Sequence, residues 1–332
     1  MNAQNFDHFQ KYFENLNGMI IIKPTKEMPD INALINHDGM MEKILHEKGA
    51  LLLRNFSIDS AEKFKEIALI FARDLMSNNG EHIPLSTTHG VYTPVSYSPK
   101  EKLLWHNENS FNHVWPLMIM FGAARPAEIG GETPVVDSRK VLAALDAEVV
   151  DEFSKKGVMY VRTHGCGFGR TWAETYHTDD KNELEKKCKE QNIQMKWLNQ
   201  NELITKQVRP AIIKHPITGE LSWFNQAQHW HPYCLKPEVR EYLMKMFPED
   251  HLPRNCYFGD GTPIPDEFMQ HILDIYEKLE VSFSWKKGDV MILDNVLFAH
   301  ARNPYSGERK LFVTMGKHAC FSNTTETRTK LI

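Results

Sequence analysis

The segment Leu104-Trp105-His106-Asn107-Glu108-Asn109-Ser110 sets an imidazole and a carboxylate two positions apart. In an extended stretch, residues i and i+2 point the same way, so both side chains can reach one metal ion. The spacing alone carries no weight. With 16 histidines and 43 acidic residues among 332, about two His-x-Asp/Glu matches arise by chance, and two occur, His106/Glu108 and His177/Asp179. A distant partner separates them. Residues 289–302 form an apolar stretch that carries His300 near its end. Two His and one carboxylate occupy one face of an octahedral ion and leave three positions open, the ligand set of non-haem Fe(II) oxygenases. Such enzymes commonly place 2-oxoglutarate in two of those positions and dioxygen in the third. The far carboxylate of 2-oxoglutarate calls for a bidentate cation, and Arg is better shaped for this than Lys. Arg309 follows His300 by nine residues, and a turn at 304–307 brings it back alongside the same strand.

The elements that must hold these groups are short. Ala50–Phe56 reads as a buried strand. An amphipathic helix follows, with Asp59 and Glu62 resembling a capping box and Phe64, Ile67, Ala68, Phe71 and Leu75 on one face. Residues 77–100 are rich in Pro, Gly, Ser and Thr and read as loop. Strands are expected at Leu117–Ala123, Pro134–Asp137, Val158–Arg162, Leu221–Phe224, Val281–Trp285, Asp289–Leu293 and Leu311–Met315. Helices are expected at Val141–Phe153, Glu183–Glu190, Glu238–Phe247 and Glu267–Leu279. Many short strands with a few helices suggest a β-sandwich or barrel decorated by helices. No repeat or linker divides the chain, so a single elaborated domain is expected.

Composition narrows the function. Lys+Arg 39 against Asp+Glu 43 gives a net charge of −4, which excludes a general polyanion binder such as a nucleic-acid coat. Five widely spread cysteines without a CxxC favour a reducing compartment over a disulfide framework. Residues 1–18 lack a basic stretch followed by an apolar one, so no signal peptide is expected. No apolar run approaches the ~20 residues that span a bilayer. A cytoplasmic protein is the expectation.

The ordered set His106-x-Glu108, Gly130-Gly131-Glu132-Thr133, Asp294-Asn295 with His300-Ala301-Arg302, and Gly307-Glu308-Arg309 resembles the taurine dioxygenase (TauD/TfdA) superfamily. Within it, the chain is most similar to the branch with Glu as the carboxylate ligand, which includes clavaminate synthase-like enzymes and the syringomycin-cluster type of aspartyl β-hydroxylase. The resemblance covers roughly residues 50–318 in unchanged order. It implies a mainly β fold with peripheral helices around a double-stranded β-helix (jelly roll). It implies Fe(II) on His106, Glu108 and His300, and 2-oxoglutarate on Thr133 and Arg309, with O2 as the oxidant. Glu108 fills the place that an Ala or Gly would leave to a halide, which disfavours a halogenase.

The resemblance also implies hydroxylation of an amino acid, free or tethered to a carrier protein, with no nucleic acid and no membrane involved. Arg162, Arg170 and Arg302 are candidates for holding such a charged substrate. Asn225 and Gln226 lie in a stretch that borders the substrate in related enzymes. Residues 164–180, with several glycines, read as a lid. His229 and His231 share a face if extended, as packing or pocket residues; a zinc site with Cys234 is a minor alternative. Desaturation or cyclisation at the same iron remains open, as does a non-catalytic jelly-roll binding protein. A zinc hydrolase is weaker, since no HExxH occurs.

Overall fold

The computed structural model describes residues 13–26, 30, 38–76, 82–321 and 329–331. One large sheet runs in the order Phe13–Leu16, Met19–Ile22, Ala50–Leu53, Val290–Asp294, Val114–Arg125, Lys310–Phe321, Tyr92–Thr93, Ile83–Pro84, with Thr329–Leu331 also paired to Lys310–Phe321. Met19–Ile22 and Ala50–Leu53 run parallel, and the other pairs antiparallel.

Its central strand is buried on both faces, which explains the unbroken apolar run Val290-Met-Ile-Leu. Val290 and Ile292 pack with Ile44 and Leu45 of helix Asp38–Lys48 and with Phe64 and Phe71 of helix Ala61–Phe71. Met291 and Leu293 point the opposite way, into a second cluster with Ile119, Phe121, Leu297 and Phe298. Burying each such side chain is worth about 1.5–3 kcal/mol. Gly122 lets the first layer close. A Cβ there would stand 2.6 Å from the Phe64 ring, so Gly122→Ala would force the Phe64 ring to shift.

Facing this sheet is a small one in the order Leu103–His106, Phe298–Arg302, Val135–Asp137. It packs outward through Val136, Ala299 and Ala301 on a long excursion of the chain, residues 138–280. The excursion holds helices Ser138–Ala144, Ala147–Lys156 and Asp266–Leu279. It also holds a four-stranded sheet in the order Gln194–Trp197, Leu203–Arg209, Val158–His164, Arg254–Phe258. Two facing sheets with helices outside are the jelly-roll architecture expected from the sequence. Among the described residues no helix is long and apolar enough to cross a membrane.

Several local expectations are corrected. The N-cap of helix Ala61–Phe71 is Ser60, whose side chain accepts from the Lys63 amide, while Asp59 pairs with Lys63 Nζ at 2.9 Å. The expected helix 141–153 is two helices, broken where Leu145 and Asp146 turn extended and Leu145 buries itself. Residues 281–285 make one bridge, Val281 to Val135, and otherwise pack Phe283 and Trp285 into the core as loop. Within 77–100, two short strands extend the large sheet, and residues 77–81 lie outside the described ones.

Candidate metal centre and its cavity

Strand pairing builds the centre. His300 lies directly opposite His106 in the small sheet, and the register slips just beyond, between His300 and Arg302. The two rings stand 4.3 Å apart, centroid to centroid. His106 is the last residue of its strand. Glu108 is therefore not in extended chain, as expected, but at the start of a turn in which Asn109 is left-handed, with φ of 57°. The turn still delivers the carboxylate. Glu108 Oε2 lies 3.8 Å from His106 Nε2 and 3.8 Å from His300 Nε2. All three residues are buried, and one ligand atom from each lies within 4.8 Å of the others.

The donor chemistry fits Fe(II). His106 Nδ1 donates to the Leu104 carbonyl at 2.8 Å, so its Nε2 carries the lone pair that faces Glu108. Burial, and then the neighbouring His106, hold the His300 pKa well below its ordinary value, so this ring is neutral as a ligand must be. Glu108 is fixed through its backbone. Asn295 Oδ1 accepts from the Glu108 amide, and Asn295 Nδ2 donates to the Glu108 and Pro116 carbonyls.

The three residues open on a cavity of about 670 Å³ that also takes in Thr133 and Arg309. Arg309 Nε donates to the Gly131 carbonyl at 3.0 Å, and its Nη2 lies 3.5 Å from Thr133 Oγ1. Trp285 Nε1 donates to the same hydroxyl at 3.1 Å. With its oxygen accepting, Thr133 has its proton to give. Burial lowers the Arg309 pKa to about 10, and the group stays charged at neutral pH. A charged guanidinium beside a hydroxyl donor suits one end of a dicarboxylate such as 2-oxoglutarate.

The other candidates divide. Arg162 and Gln226 line this cavity, and Gln226 Nε2 donates to the Asn107 carbonyl at 2.7 Å. Arg302 also borders it, but its Nη atoms donate to the carbonyls of Tyr97, Ser98 and Glu101, which fastens that loop. Asn225 stands apart from the cavity. It binds the Ala211 carbonyl and the Ala227 amide. Arg170 lines a second cavity of about 430 Å³, which meets the first at Asn109, Phe111 and Arg162. Residues 164–180 border this second cavity and fold into a short helix, Trp172–Tyr176, after the glycines.

His229 and His231 do not share a face, because residues 227–230 form a helical turn. His231 binds the Ile264 carbonyl. His229 Nε2 donates to the Leu104 carbonyl at 2.8 Å, the oxygen that also orients His106, with the two rings 4.7 Å apart. The minor alternative of a zinc site with Cys234 finds no support, since these three residues form no metal-ligand group among the described residues. Sequence reasoning also missed Arg254, at the cavity rim. A second buried His-Asp-His group, His46, Asp294 and His215, is hydrogen-bonded instead. Both rings donate to Asp294 Oδ2, at 2.8 and 2.9 Å, and His215 Nδ1 accepts two backbone amides.

Residues 23–315 match the family described as taurine catabolism dioxygenase TauD, TfdA family. The chain belongs to this family. It is accordingly a non-haem Fe(II), 2-oxoglutarate-dependent dioxygenase. It is 38% identical over 276 residues to the dapdiamide synthesis protein DdaC of Enterobacter agglomerans, covering 83% of this chain and 84% of that one. It is 26% identical to a clavaminate synthase-like protein of Arabidopsis thaliana, covering 93% and 96%. Among solved structures it is similar in fold to the PvcB protein of Pseudomonas aeruginosa (TM-score 0.51, 13% identity, 89% and 84% covered). An alpha-ketoglutarate-dependent taurine dioxygenase of Burkholderia xenovorans is comparably similar (TM-score 0.50, 14% identity, 90% and 88% covered).

Proposed function

We propose that this enzyme hydroxylates an unactivated C–H bond of an amino-acid-like substrate, free or tethered to a carrier protein, in specialised metabolism. His106, Glu108 and His300 hold the iron, and Thr133 and Arg309 hold 2-oxoglutarate. The observation that carries this reading is the meeting of a buried His–Glu–His cluster with the buried Thr133 and the half-buried Arg309 in one cavity. Iron held by His106, Glu108 and His300 would supply the redox chemistry by which 2-oxoglutarate is oxidised to succinate and carbon dioxide with one atom of dioxygen while the other enters the C–H bond.

The chain's own residues supply placement. Leu104 and Asn295 orient two ligands, and Arg309 anchors the far carboxylate of the co-substrate. The dapdiamide-synthesis and clavaminate synthase-like relatives support a role in the biosynthesis of small molecules. Five free cysteines fit a reducing compartment such as the cytoplasm.

Succinate formation by anaerobically Fe(II)-loaded protein, given oxygen and a panel of free and carrier-tethered amino acids, tests the proposal. Turnover should need iron, rise with one substrate, give a product heavier by one oxygen, and vanish in His106→Ala and with zinc. A product that has lost two hydrogens would move the reading to desaturation or cyclisation. Absence of 2-oxoglutarate binding would remove it.

A further inference from the structure

Across the cavity from Arg309, a second cationic site is built into the excursion. Arg162 and Arg254 are direct cross-strand partners in the four-stranded sheet, so their side chains leave the same face side by side. Two guanidiniums side by side concentrate N–H donors in the geometry that suits the two oxygens of a carboxylate. Both guanidiniums lie over the same ring, Trp230, at 5.0 and 5.3 Å from its centroid. Arg162 is buried and Arg254 exposed, so the pair runs from the inside of the iron cavity to its mouth. Glu108 is the sole carboxylate among the described residues lining that cavity, and it faces the two histidines. The second cavity opens beyond Arg162 and adds Arg170 and Lys187, with no Asp or Glu among its described lining.

We propose that Arg162 and Arg254 form a carboxylate fork seated on Trp230, and that the substrate is an elongated amino-acid-like anion held there by a carboxylate remote from the reacting C–H. This rests on the oxygenase reading above. The 2-oxoglutarate dianion has its own cation in Arg309, so the fork serves a different anion. The flat Trp face beneath two planar guanidiniums favours a planar carboxylate. The shared boundary at Asn109, Phe111 and Arg162 lets a longer substrate continue into the second cavity.

The test is calorimetric binding to metal-free protein of L-amino acids and their N-acetyl forms, each compared with its carboxamide. Arg254→Gln is the main variant because Arg254 is exposed and glutamine keeps much of its length; Arg162→Lys, which keeps the charge but not the planar fork, is the second. At least one acid should bind on the order of tenfold or more tightly than its amide, and Arg254→Gln should remove that difference without weakening the amide. Arg162→Lys should weaken the acid as well. Acids that bind no better than their amides, or an Arg254→Gln that weakens both alike, would overturn the fork. Affinity for 2-oxoglutarate in the Fe(II) protein is read separately and should follow Arg309→Gln, not Arg254→Gln. If wild type binds no 2-oxoglutarate, the oxygenase reading fails while the acid–amide comparison still decides the fork.

Discussion

Asn295 and Glu108 clasp one another by side chain and backbone: Asn295 Oδ1 accepts from the Glu108 amide at 2.6 Å, and Asn295 Nδ2 donates to the Glu108 carbonyl at 2.9 Å. A carboxylate carried on a turn is thereby tied to the strand that precedes His300. Asn295→Ala strands buried backbone groups, each worth about 1–3 kcal/mol. The variant should lose roughly 3 kcal/mol in denaturant unfolding and bind Fe(II) about 10–100-fold more weakly. A folded variant with undiminished iron affinity would show that the clasp does not set the ligand.

Gly131 controls Arg309. Its φ is +74°, and a Cβ there would lie 3.1 Å from Arg309 Cδ and Nε. Gly131→Ala should displace the guanidinium and raise the KM for 2-oxoglutarate by about tenfold. Arg309→Lys, which lacks the fork, should raise it by roughly 10–100-fold. Succinate-formation kinetics at fixed iron measure both. Iron affinity should stay near wild type, and a parallel loss of iron would argue that the loop supports the metal instead.

His164 gives the fold a measurable acid sensitivity. Burial first, and then the Arg162 guanidinium, push its pKa down to about 3. The unfolded chain protonates this ring near pH 6.5 and the folded chain does not, so its contribution is complete above that pH. It is lost as pH falls from 6.5 toward 3, at ~1 kcal/mol per pH unit. Urea unfolding between pH 4.5 and 7.5 should show a shallower slope for His164→Gln than for wild type. Identical slopes would refute the assignment.

The His46–Asp294–His215 group should take up no metal. Burial disfavours the Asp294 charge, but hydrogen bonds from His215 and His46 outweigh it and hold the carboxyl at about 2. Its stabilisation is present above the unfolded value of 3.8 and fades as pH drops toward 2. Anaerobic Fe(II) titration should saturate at one equivalent, and Asp294→Asn should cost about 2–3 kcal/mol at pH 7. A second equivalent lost in that variant would make the group a metal site.

How much of this was legible before any fold was in view differs residue by residue. Residue type and order along the chain marked His106, Glu108 and His300 as candidate ligands, although Glu108 reaches the centre from a turn and not from the extended chain its spacing suggested, and the expected turn after His300 marked Arg309. Such signals are legible because metal-ligand chemistry restricts the residue types, whereas it does not restrict the local backbone that presents them. Arg254 gave no sign. Its place opposite Arg162 depends on strand pairing across most of the excursion, which no local pattern encodes. His229 does line the cavity, but the extended geometry that would have paired it with His231 fails, because one helical turn rotates it toward Leu104. The broken helix at Leu145 was hidden because Asp146 suits both a helix surface and an N-cap.

The long excursion has a consequence for how this enzyme can change. The residues assigned to iron and 2-oxoglutarate all lie before Ser138 or after Glu280, whereas Arg162, Gln226, Trp230 and Arg254 all lie between them. On the proposed assignments, the iron and 2-oxoglutarate ligands and the Arg162–Arg254 fork are carried on separate stretches of sequence. Mutations can accumulate in the excursion while the ligands of the iron stay constant. Residues 138–280 are nevertheless seated on the ligand-bearing strands through one shared core and through Gln226 and Gln228, which donate to the carbonyls of Asn107 and Trp105, so a change of substrate preference within the excursion must keep those contacts.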